Sequence, residues 1–281
     1  TVTTDMADKT ITLDTLAPTG NVILKTSGTA GHVTIDSGTT ALGVQGTVSG
    51  NLVLTSGEAI IDSDVLTVTG TTTVTTDVAD KAINLGSLAS TGNVIVSTLG
   101  TTGNVTIYSG TTALGVQGTV SGDLVLTSGE AITDSDILTV TGTTKVTTDV
   151  ADKAINLGSL ASTGNVIVST LGTTGNVTID NGTTALGVQG TIGGDLVLTS
   201  GQAITDSGTL TASGSTTIDS GSADITLDEV ASTFGTLSLT GANVAVTDAG
   251  ATDLGASTVS GTLGITSGGA VTSSGKSAIT G

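Results

Sequence analysis

Apolar and polar residues alternate with period two along most of this chain. In Gly103-Asn104-Val105-Thr106-Ile107-Tyr108, Val105 and Ile107 share one side while Thr106 and Tyr108 share the other, the pattern of a half-buried strand. Leu138-Thr139-Val140-Thr141, Leu124-Val125-Leu126, Ala82-Ile83-Asn84-Leu85 and Leu237-Ser238-Leu239 read the same way. Short strands are predicted throughout. Gly, Ser, Asp and Asn punctuate them, as in Thr127-Ser128-Gly129 and Asp134-Ser135-Asp136, which is turn chemistry. No stretch sustains apolar residues at helical spacing, so no helix is expected.

The alternation itself repeats. Asp77 and Asp149 hold the same place in two copies of TTDVADKAINL, 72 positions apart, and Asp5 stands one further period back in TTDMADKTITL. Four copies result, 1–70, 71–142, 143–214 and 215–281, the last shorter and most diverged. A fixed period of this kind marks a solenoid. One coil cannot bury its own Val, Ile and Leu side chains. Stacked at about 4.8 Å, coils share parallel backbone hydrogen bonds and a common lining. The expected fold is all-β: a single right-handed parallel β-helix over 1–281, its hand taken from the general crossover preference. About three coils per 72-residue repeat are expected, each of three strands, cut at Leu66–Ser90, Thr91–Gly118 and Thr119–Ile137; four shorter coils are the rival count. There is no initiator Met or signal peptide, and Thr1 and Gly281 fall at repeat edges. An excerpt of a longer chain is therefore expected.

Composition narrows the function. Hydrophobic residues are 36% of the chain, yet runs stop at three or four residues, far short of a spanning helix. Aromatic residues are 1%, consistent with a narrow interior that only aliphatic side chains fill. A net charge of −18 argues against nucleic acid and anionic lipid as partners. Without Cys, disulfides and thiolate metal sites are excluded.

The fourth copy contains ADITLDEVASTFGTLSLTGANV, TDLGASTVSGTL and ITSGGAVTSSG. In these pieces, within residues 209–275, the chain resembles the repeat region of giant bacterial surface adhesins of the filamentous haemagglutinin type. The resemblance extends to all four copies. It implies a right-handed parallel β-helix in the stalk of a large adhesin.

Several positions invite chemistry. Asp5/Asp8, Asp77/Asp80 and Asp149/Asp152 recur, as do Asp62/Asp64, Asp134/Asp136 and Asp206. Calcium at coil turns would use such oxygens, but the calcium-binding nonapeptide is missing. The reading taken is solvated turn residues that keep an apolar solenoid soluble. Glycoside hydrolysis needs two carboxyls flanking one substrate. Here the Asp pairs are periodic, and only six Lys and Arg, with Tyr108 and Phe234, could hold a sugar. The clearest outward Thr-x-Thr elements, as at Thr67-Val68-Thr69 and Thr139-Val140-Thr141, recur once per copy. That is too sparse for an ice-binding rank, and Thr is a good strand former. His32 and Tyr108 are read as surface substitutions for Asn and Asp. Asn104 and Asn176 match the glycosylation sequon, which chance supplies in a Thr-rich chain. Lys81 and Lys153 are read as offsetting the adjacent Asp.

No catalytic, cofactor-binding or metal-binding residue is assigned, and no cofactor, calcium being the alternative kept. The function expected is a structural stalk or spacer of a large secreted or cell-surface bacterial adhesin, extracellular and not an enzyme. Its partners would be adjoining repeats and a host-cell, partner-cell or matrix glycan, with no nucleic acid and no membrane insertion. The alternatives are a binding module using one face of the solenoid (carbohydrate, calcium or ice) or a self-assembling filament.

Overall fold

A computed structural model describes all 281 residues. Strands are the only regular elements, and every strand pair within each of two compact units, Thr1–Gly142 and Thr143–Gly281, is parallel. Each unit is a β-solenoid whose turns alternate between two facing sheets.

In the first unit one sheet stacks Val2–Thr3, Val22–Lys25, Leu42–Val48, Ile60–Val68, Ile83–Leu85 with Leu88–Ser90, Val105–Tyr108 and Leu124–Ser128. The other stacks Ile11–Leu13, Val33–Asp36, Leu52–Ser56, Thr72–Ala79, Val94–Leu99, Leu114–Val120 and Ile132–Val140. The second unit repeats this plan. One sheet runs from Thr144–Ala151 through Val166–Leu171, Leu186–Ile192 and Ile204–Ala212 to Leu263–Ser267. The other runs from Ile155–Leu157 through Val177–Asp180, Leu196–Thr199 and Thr216–Asp219 to Thr236–Gly241 and beyond.

Register fixes the pitch. Partners step from Val22 to Val44, Leu42 to Ile60, Ile60 to Ile83 and Val105 to Leu124, so one turn takes 18 to 23 residues. The turn therefore has two main sides where three had been expected. A 72-residue repeat supplies seven sides, an odd number, and so three and a half turns, between the counts of three and four. Val22–Lys25 and Val94–Leu99 are equivalent in sequence yet belong to opposite sheets of the first unit, and Val33–Asp36 and Val105–Tyr108 likewise exchange sheets.

The inward rows are aliphatic and closed to solvent. Val33, Ile35, Leu52, Leu54, Val74 and Val96 are all 0% exposed, and each sits over its register partner in the next turn. The alternation read from the sequence is thus the division between lining and surface. Two devices bend the sides. Gly46, at φ +112°, marks a register shift where Leu24 pairs with Gly46 and Gly46 with Leu66. A Cβ there would run into the carbonyl oxygen of Leu24, so only Gly fits. Asp62-Ser63-Asp64-Val65 and Asp134-Ser135-Asp136-Ile137, expected as turns, are bends inside the continuous strands Ile60–Val68 and Ile132–Val140.

Most polar groups in the lining pair locally, the Thr216 hydroxyl being an exception. Thr72 Oγ1 and Ser90 Oγ lie 3.2 Å apart, and so do Thr98 Oγ1 and Ser121 Oγ. Asn181, 1% exposed, replaces the Ser found at Ser37 and Ser109. Its amide donates to the carbonyls of Ser162, Thr184 and Ala185 at 2.9–3.1 Å and accepts the Ser162 N–H at 2.8 Å. That meets the requirement that buried polar atoms be hydrogen-bonded.

Candidate functional site

The recurring Asp residues do structural work between turns. Where the chain leaves Thr72–Ala79, Asp80 adopts φ +63°, a left-handed conformation that Asp tolerates better than most residues. Its Oδ1 then accepts the N–H groups of Thr101 and Thr102 at 2.7 and 2.8 Å. Asp8 takes those of Thr29 and Ala30 at 2.6 and 2.8 Å, and Asp152 those of Thr173 and Thr174 at 2.9 Å. Gly28, Gly100 and Gly172 lie against these carboxylates, and a Cβ there would strike them. The backbone N–H bonds hold all three carboxyls below the usual carboxylate range, led by Thr29 for Asp8, Thr101 for Asp80 and Thr174 for Asp152. Asp5, Asp77 and Asp149 are exposed beside them.

The second acidic set divides in the same way. Asp62 accepts Gly86 N–H and Ser87 N–H at 2.7 Å, one per carboxylate oxygen. Burial raises its pKa despite those bonds. Asp206, only 8% exposed, takes Asp228 N–H, Glu229 N–H and the Ser232 hydroxyl. Asp64 and Asp136 instead accept from the residue that follows each, Val65 and Ile137. Asp62 and Asp64 therefore engage different segments and do not converge on a common point. No group of three or more His, Asp and Glu residues is placed to hold a metal ion.

The strand entries of both sheets carry ladders that the sequence reading missed. His32 Nδ1 accepts Asn51 N–H at 2.8 Å, and Asn51 Oδ1 accepts Thr71 N–H at 3.0 Å. Asn104 accepts Asp123 N–H at 2.8 Å. In the second unit Asn176 accepts from Asp195 and Asp195 from Ser215, both at 2.8 Å. Each side chain receives the N–H of the turn above. His32 performs the task of Asn with an imidazole nitrogen, and the two sequon Asn residues are members of the ladder. Lys81 pairs with Glu58 of the adjacent turn, Nζ to Oε2 2.8 Å, and not with Asp80. An exposed pair of this kind contributes little.

The outward rows are weakly charged. Thr55, Thr75, Ser97, Thr119 and Thr139 are successive partners in one sheet of the first unit. This hydroxyl column draws on unrelated parts of the repeat, and of the Thr-x-Thr elements named above it includes only Thr139. Its neighbouring column mixes Thr34, Val53, Thr73, Ile95 and Gln117, so the regular rank is one residue wide.

Concavities are shallow grooves at the corners. One, about 330 Å³, lies among Val65, Ser87, Leu88, Ala89, Tyr108 and Gly110–Thr112. Its counterpart in the preceding copy lies among Asp14–Ala17 and Asp36–Thr40.

Fold and side-chain use together define a tandem-repeat parallel β-solenoid whose recurring polar residues join turn to turn. The chain belongs to the family described as repeats of unknown function (DUF5649), whose model matches residues 30–101, 102–172, 174–240 and 241–281. No curated protein and no solved structure matches it.

Proposed function

We propose that this chain is a spacer segment of a large bacterial surface or secreted adhesin of the filamentous haemagglutinin type, extracellular and without catalytic activity. The observation carrying this reading is where the repeat spends its polar side chains. Asp8, Asp80, Asp62, Asp206, Asn51 and Asn104 each cap backbone N–H groups of another turn. A repeat selected for length would keep just such contacts, since every turn then extends the stack by the same increment. The partners in this reading are the adjoining repeats themselves, with a glycan of a host cell, neighbouring cell or matrix engaged by the adhesin as a whole.

Electron microscopy of parent chains carrying added or removed 72-residue copies tests the proposal. Each copy should change the length by about 17 Å, three and a half turns at about 4.8 Å, and cell adhesion should persist when outward residues of these copies are exchanged. Length that does not follow copy number, or adhesion abolished by such exchanges, would refute it.

A further inference from the structure

The corner groove at Tyr108 differs from its counterparts in charge, in hydrogen bonding and in carrying an aromatic ring. In four other places an Asp holds the N–H of the Gly two residues on, the most buried being Asp248 with Gly250 at 2.9 Å. Asp36 holds Gly38 at 2.8 Å, Asp180 holds Gly182 at 2.9 Å and Asp219 holds Gly221 at 2.8 Å. In the second copy that Asp is Tyr108, and the matching N–H, on Gly110, has no acceptor within the protein. The substitution thus removes a charge, frees a backbone donor and adds an aromatic ring at one place.

The surroundings suit a ligand. Tyr108 is 41% exposed and Val65 55%, and they lie beside Leu88 and Ala89 in the groove of about 330 Å³. The hydroxyls of Ser87, Tyr108 and Thr111 have no partners within the protein. Space beside Gly110 is open. The walls are fixed, because Ser109 Oγ donates to Thr112 O at 2.7 Å and Asp62 anchors Ser87 N–H. No charged residue lines the groove, although the chain carries a net charge of −18. The counterpart groove is lined by Asp14 and Asp36.

We propose that this groove binds one neutral hexopyranose unit of a glycan. The apolar C–H face of the sugar stacks on the Tyr108 ring over Val65 and Ala89, and a ring-face hydroxyl accepts from Gly110 N–H. Ser87 and Thr111 supply hydroxyls that both donate and accept. An open groove with one aromatic anchor implies a Kd on the order of 1–10 mM. The assignment stands independently of the spacer reading.

Tyr108 is the single Tyr in a chain without Trp, so tyrosine emission reports this groove almost alone. Titration of the 281-residue chain with methyl glucoside, galactoside and mannoside to ~100 mM should give a saturable emission change with at least one sugar. The Gly110 amide resonance should shift with the same midpoint, and glucuronate should bind at least ~10-fold more weakly. By the amide shift, Tyr108→Asp, which restores the residue of the other copies, should abolish binding, whereas Tyr108→Phe should retain it within ~3-fold. No saturable response to any neutral pyranoside, binding that survives Y108D, or equal affinity for glucuronate would overturn the proposal.

Discussion

Gly38→Ala and Gly46→Ala place the same methyl eight positions apart in one copy, and the structure assigns them different costs. Gly38 sits at φ +53° with nothing within 4 Å of a built Cβ. Alanine there bears only the left-handed penalty of about 1–2 kcal/mol, offset by about 0.4–1 kcal/mol from the stiffer unfolded chain. The net cost is at most about 1.5 kcal/mol. Gly46 sits at φ +112°, and its Cβ would collide with the backbone oxygen of Leu24. No side-chain rotation relieves that contact. The strand must move, adding about 1–3 kcal/mol of backbone strain to weakened rungs toward Leu24 and Leu66, each hydrogen bond contributing about 1 kcal/mol. A total of about 3–5 kcal/mol follows, or a fall in Tm of roughly 6–20 °C at 2–4 °C per kcal/mol. Urea denaturation followed by circular dichroism, with amide exchange at Leu24, Gly46 and Leu66, measures both variants. If Gly46→Ala costs no more than Gly38→Ala, the assignment of Gly46 to an obligatory register shift is wrong.

Acid should act in two opposed directions. The depressed pKa values of Asp8, Asp80 and Asp152 mean stability that is present above their ordinary value of about 3.9 and lost as pH falls through the lower folded values. The raised pKa of Asp62 means a cost at neutral pH that disappears as pH falls through its folded value. Urea midpoints between about pH 7 and pH 2 should therefore hold or rise slightly before a steep fall, and Asp80→Asn should make the fall shallower; an unchanged slope would show that Asp80 is not one of its causes. Asn181→Leu should destabilise by about 2–5 kcal/mol, since it strands buried carbonyl and N–H groups, with Asn181→Ser costing less; equal melting points for wild type and Asn181→Leu would contradict this. His32→Asn should change stability by less than about 0.5 kcal/mol, because Asn104 makes the equivalent acceptor bond, and a larger loss in thermal melts would mean that the imidazole does more than cap Asn51.

The period, the strand alternation and the aliphatic lining were legible because each is local or repeats exactly enough to align. Val105 and Ile107 declare the buried side by themselves. The two-sided turn was not legible. Asp62-Ser63-Asp64 reads as turn chemistry, yet it bends a strand that continues to Val68. A reader counting turns from such signals divides the repeat into too many sides per turn and too few turns. The polar network was hidden for a related reason: Asp80 reaches Thr101 and Thr102 across 21 and 22 residues, and such partners emerge only once the register is known. Tyr108 looked like a stray surface substitution. Its meaning depends on a hydrogen bond that its counterparts make and Gly110 lacks, which alternation cannot reveal.

Seven sides per copy give the array a parity. A residue on one sheet in a given copy lies on the opposite sheet in the next, as Asp36 and Tyr108 do. Gain or loss of a single copy would reverse the sidedness of every residue that follows, while gain or loss of two would preserve it. Copy-number change in such a chain alternates between exchanging two exteriors and restoring them, so one added copy turns the aspect shown to a neighbour and two leave it as it was.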